Sequence, residues 1–107
     1  MSTIKYNKLV RDCIPEIIEA SGKRCVCSTL SDEEYLAKLD EKLNEELAEY
    51  QESKSMEELA DLLEVMMAAA EARGHSFDEV EAIRREKADK RGAFRERIWL
   101  ESVIKDN

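Results

Sequence analysis

Four runs of apolar residues, each closed by glycine or opened by serine, set the elements expected of this chain. The first run, Ile14, Ile17 and Ile18, makes one face of a short helix. Asp12 is the expected cap, Pro15 is tolerated in the first turn, and Gly22 is the stop. The second helix opens at Ser31, where Ser31-x-x-Glu34 spells a capping box. Leu36, Leu39, Leu43 and Tyr50 follow a 3-4 stripe along it, and Glu46 occupies the stripe position between Leu43 and Tyr50. A carboxylate in an apolar stripe marks a functional site if Glu46 itself faces inward. It is an ordinary edge residue if the neighbouring Leu47 carries the stripe, and periodicity leaves both readings open.

The third helix, from about Met56 to Arg73 with Gly74 as its stop, is apolar nearly all round: Leu59, Leu62, Leu63, Val65, Met66, Met67 and the alanines 68–70. Such a helix is buried on most sides. One hairpin cannot cover it, so the expected architecture is an all-α, helical-hairpin-based four-helix bundle completed by oligomerisation, as a homodimer or homotetramer. The methionines read as core filler. Ser76-x-x-Glu79 opens a fourth helix running to about Arg91, with Gly92 as its stop. KRCVCSTL, residues 23–30, reads as a short extended segment, and RIWLESVI, residues 97–104, as a strand pairing with it or a last helical turn.

Composition narrows the class. The 107 residues make one domain, 1–107, and three glycines with one proline leave too few turns for an all-β fold. A net charge of −8 argues against a nucleic-acid polymer as partner. With no signal peptide and no long apolar run, a soluble, cytoplasmic protein without membrane contact is expected. Cys13, Cys25 and Cys27 are odd in number, which argues against a disulfide framework, and no second pair completes a thiolate metal site around Cys25-x-Cys27. His75, between Gly74 and Ser76, reads as a loop residue.

The acidic residues change the picture most. The stretch Glu45–Asp61, EELAEYQESKSMEELAD, holds two carboxylate pairs, Glu46/Glu49 and Glu58/Asp61, each at i, i+3 spacing and so on one helical face. QESKS between them reads as the turn of an antiparallel hairpin. Counted from a centre between Ser53 and Lys54, Glu49 faces Glu58 and Glu46 faces Asp61. Four converging carboxylates raise one another's pKa unless a cation neutralises them, and their oxygens suit Mg²⁺ or Mn²⁺. Each acid also has an ordinary reading. Glu58 completes a capping box with Ser55, Asp61 belongs to a solvated edge with Glu57, Glu64 and Glu71, and Glu49 is surface beside Glu45 and Glu52. The cations Lys8 and Arg11 of the opening arm, and Arg84, Lys87 and Arg91 on one face of the fourth helix, are either phosphate ligands or solvated charge.

The pattern E-E-x-x-E followed by E-E-L-A-D-L-L-E, with NKLVRDCIPEII, LSDEEYLAKLDEKLNEEL and EKADKRGAF, resembles the all-α nucleoside triphosphate pyrophosphohydrolase (MazG-like) superfamily, in its phosphoribosyl-ATP pyrophosphohydrolase-like branch. The resemblance runs from about Tyr6 to Leu100. It implies an oligomeric helical enzyme that uses Mg²⁺ to cleave a nucleotide between its α- and β-phosphates, releasing a monophosphate and pyrophosphate. It assigns the metal and the catalysis to Glu46, Glu49, Glu58 and Asp61; on that mechanism Lys87 and Arg91 are expected to bind phosphate oxygens, with Lys8 and Arg11 as further candidates. The interval between the two acidic motifs is short, eight residues, and Cys13 stands where relatives often carry a basic residue. The KLVRD arm favours housekeeping removal of non-standard nucleotides over phosphoribosyl-ATP hydrolysis in histidine biosynthesis. A helical interaction module without chemistry is the reading from a different class.

Overall fold

The computed structural model describes residues 2–106. Four helices form: α1 (Ile14–Ala20), α2 (Asp32–Ser53), α3 (Met56–Ala72) and α4 (Phe77–Arg91). No strand forms among the described residues, so segments 23–30 and 97–104 do not make the expected two-stranded pair.

The helix ends follow their local chemistry. At α2 the capping box is complete: Glu34 N–H donates to Ser31 Oγ at 3.2 Å, and Ser31 N–H donates to Glu34 Oε1 at 3.2 Å. α1 begins differently from expectation. Its cap position is Cys13 rather than Asp12, and no side chain accepts a cap hydrogen bond there, so Pro15 in the first turn is its main start signal. QESKS is only partly a turn. Gln51 to Ser53 remain helical, and the reversal is confined to Lys54, in the left-handed region at φ 59°, and Ser55, the cap of α3.

α2 and α3 fold back on each other and are the principal packed pair. α4 touches α3 lightly and does not touch α2, and α1 packs on no other helix. One chain therefore forms a helical hairpin with appendages, not a four-helix bundle. Leu39, 2% exposed, is the single buried apolar side chain among the described residues. Leu59, Leu63 and Met66 on α3 remain exposed, because nothing in the chain covers the face turned away from α2. The radius of gyration is 19.4 Å, against roughly 13 Å for a compact chain of this length. No helix among the described residues is long and apolar enough to cross a membrane.

Candidate functional site

The tight reversal at Lys54–Ser55 sets the rotational register of α2 against α3. That register brings carboxylate oxygens of Glu46, Glu58 and Asp61 within 4.8 Å of one another, and likewise those of Glu45, Glu46 and Glu49. Glu46 belongs to both groups. It is 7% exposed, so it faces inward and Leu47 takes the outer position. Two oxygens, Glu46 Oε2 and Glu58 Oε2, are buried with no hydrogen-bond partner. A buried carboxylate oxygen without a partner is costly, and the fold tolerates two of them a few ångströms apart.

The electrostatics follow from that crowding. Burial pushes the Glu46 carboxyl above its ordinary range, and Glu49 pushes it further, against the pull of Lys42. Glu58 is also raised, first by desolvation and then by the charges of Glu49 and Asp61. The four acids of the two motifs thus act on one another across the hairpin.

Glu58 is not spent on capping. Ser55 Oγ accepts from Glu58 N–H at 3.3 Å, but Ser55 N–H donates to Ser53 Oγ at 3.2 Å, which leaves the Glu58 carboxylate outside the box. At α4 the Glu79 carboxylate is shared with a rival partner: it lies 2.7 Å from His75 Nδ1, while Ser76 Oγ accepts from Glu79 N–H at 3.2 Å. Asp61 keeps 41% of its side chain exposed, as a solvated edge requires, and is tied at the same time to the arm, Arg11 Nη2 donating to its Oδ1 at 2.7 Å.

Cations from the opening arm lie over the cluster. Arg11 also approaches Glu64, Nη1 to Oε1 at 3.9 Å. Lys8 Nζ lies 3.7 Å from Glu45 Oε1. Within α2, Lys42 Nζ sits 3.2 Å from Glu45 Oε1 and 3.4 Å from Glu46 Oε1. Arm and hairpin enclose an open cleft of about 730 Å³, with Arg11, Tyr35, Lys42, Glu46 and Asp61 in its walls. That is the size range of small-molecule sites. Lys87 and Arg91 are not brought to the cluster within one chain: both are exposed on α4, which does not touch α2. Arg84, on the same face, is held by Glu81 through Nε at 2.9 Å.

Lys42, Glu45 and Glu64 are site neighbours that the sequence reading passed over. Lys42 was detectable, since its i, i+4 relation to Glu46 is a helix-pair signal. The contact between Arg11 and Asp61 spans 50 positions and leaves no local trace. All three cysteines are free thiols, and Cys25 donates to the Pro15 carbonyl at 3.7 Å.

The donor set is all oxygen and all carboxylate. It suits a hard divalent cation and offers nothing to a soft metal.

No protein-family model and no solved structure matches this chain. An uncharacterized protein of Mycolicibacterium smegmatis (strain ATCC 700084 / mc(2)155) is similar to it, 64% identical over 42 residues, which is 39% of this chain. The match spans 43% of that protein's length.

Proposed function

We propose that this chain is a Mg²⁺-dependent nucleotide pyrophosphohydrolase. It cleaves a nucleoside triphosphate between the α- and β-phosphates, giving a monophosphate and pyrophosphate, and serves to remove non-standard nucleotides. One observation carries the reading: two unpartnered buried carboxylate oxygens, Glu46 Oε2 and Glu58 Oε2, in one cluster with Asp61. Capping does not account for Glu58, and a solvated surface does not account for Glu46. The reaction class comes from the resemblance of the two acidic motifs, KLVRD and EKADKRGAF to pyrophosphohydrolases.

In this reading Glu46, Glu49, Glu58 and Asp61 hold Mg²⁺, with Mn²⁺ as a substitute. The ion supplies charge neutralisation on the triphosphate and a lowered pKa for bound water. Where only three of the four are ligands, Glu49, which presses on both Glu46 and Glu58, would instead orient the attacking water and take its proton. Arg11 moves from Asp61 to phosphate oxygens, for which its fork is suited, and Lys8 adds a point charge beside it. Lys87 and Arg91 reach a substrate only from a second copy of the chain, as homodimer or homotetramer, because α4 stands apart from its own α2.

The test is pyrophosphate release from a panel of standard and non-standard nucleotides with Mg²⁺, phosphoribosyl-ATP included. Release from non-standard nucleotides supports the proposal, and preference for phosphoribosyl-ATP moves the protein to histidine biosynthesis. Absence of release across the panel, from assembled protein, overturns the enzyme reading. Calorimetry then separates a metal-binding protein without this activity from a helical interaction module that binds no Mg²⁺.

A further inference from the structure

We infer that residues 93–106 form an exchange arm, which lies on the exposed α3 face of a second copy while that copy's arm lies on the first. The inference rests on the assembly proposed above and adds to it the segment that makes it.

The observations come from both partners of the contact. Beyond α4 the chain forms no further helix and no strand, yet it carries Phe94, Ile98, Trp99, Leu100, Val103 and Ile104. All six are exposed, Phe94 at 97% and Trp99 at 86%. On α3, Leu59, Leu63 and Met66 are exposed at i, i+4 and i+7, a single stripe extended towards the α2–α3 turn by exposed Met56. Isolated apolar side chains at a surface are ordinary, but two contiguous sets on one small chain are not.

Area and charge identify the occupant. Six large apolar side chains expose on the order of 900 Å², about what each partner buries in a stable dimer. The arm is electrically neutral, Arg95, Arg97 and Lys105 balancing Glu96, Glu101 and Asp106, on a chain of net charge −8. It can therefore approach an acidic copy of itself without the repulsion its other segments would meet. Each copy offers one arm and one stripe, so two reciprocal contacts close a two-fold assembly in which both sets are used. The chain also needs such a cover whenever it folds, since Leu39 is its only buried apolar side chain among the described residues. A second copy is the one partner always present in proportion.

Trp99 is the only tryptophan, which gives the arm a built-in reporter. The experiment uses the full chain and follows mass by sedimentation over a concentration series, with Trp99 emission and acrylamide quenching measured on the same samples. The expected result is an even-numbered assembly in which Trp99 is shielded, becoming red-shifted and quenchable on dilution. Leu63→Asp on the stripe and Leu100→Asp on the arm are each expected to raise the dissociation constant about tenfold or more. Both positions are solvent-exposed in the single chain, so circular dichroism should show helicity retained. An assembly with Trp99 fully quenchable, or one indifferent to Leu100→Asp, overturns the arm while leaving the proposed oligomer standing. A monomer at every concentration overturns both.

Discussion

Burial and neighbouring carboxylates raise the carboxyl groups of Glu46 and Glu58 above their ordinary range. Both shifts are upward, so between the ordinary value of 4.5 and the raised values the folded chain binds more protons than the unfolded one. The resulting stability is present at low pH and is lost as pH rises through the raised values. Glu34, Glu79 and Glu81, held low by hydrogen bonds to Ser31, His75 and Arg84, oppose this only as pH falls below the ordinary carboxylate range. In chelator, the melting temperature is therefore expected to rise as pH is lowered from neutrality towards that range. A Glu46→Gln/Glu58→Gln variant should show a smaller rise, and an equal one would mean that other groups dominate. Glu46→Gln alone should melt a few degrees higher without Mg²⁺. It should also lose at least about 100-fold in pyrophosphohydrolase activity, since even partners outside the metal's immediate ligands are worth 10–100-fold. Arg11→Gln separates two roles of one side chain. Mg²⁺ binding should tighten, because a competitor for Asp61 is gone, while KM for the nucleotide rises about tenfold. Weaker Mg²⁺ binding in calorimetry would count against that competition.

At the scale of the element, the same serine device does three different jobs. Ser31 and Glu34 bond reciprocally, Ser55 caps a backbone N–H without help from the Glu58 carboxylate, and Ser76 caps where the Glu79 carboxylate is also held by His75. Ser31→Ala and Ser55→Ala should each cost about 1 kcal/mol in denaturant unfolding. Glu34→Ala should destabilise as well, while Glu58→Ala should be neutral or stabilising in the absence of metal. A matching loss at Glu58 would return that residue to the cap. The sequence made the helices legible because glycine, serine and 3.6-residue periodicity act within a few positions. It made the pairing of Glu46 with Asp61 legible because the reversal is short enough for counting to work. It could not show which serine–glutamate pairs close, since that depends on rival partners, Ser53 at one helix and His75 at another. Nor could it show Arg11 on Asp61, which requires the arm to return across the hairpin.

For the whole molecule, the expected bundle and the observed chain differ in how much of α3 is covered. The sequence predicts α3 covered on most sides, and a single chain covers it on one, leaving an object 72 Å long and 24 Å across at its narrowest. If assembly supplies the cover, the melting temperature should climb with protein concentration, as linkage requires. A concentration-independent midpoint would place the stability within the single chain. Scattering from the Leu63→Asp variant at low concentration should then approach the single-chain radius of gyration of 19.4 Å.

The two-residue reversal at Lys54 and Ser55 also constrains how this chain can change length. With no slack in the joint, one residue inserted between Glu49 and the turn rotates one half of the hairpin by about 100° against the other. Glu46 and Glu49 would then swing out of phase with Glu58 and Asp61, although every ligand would still be present. An insertion of seven residues falls only about 20° out of phase, but on one side alone it also slides that half about 10 Å along the axis. The hairpin should therefore tolerate lengthening only when both helices gain the same two turns, one on each side of the reversal.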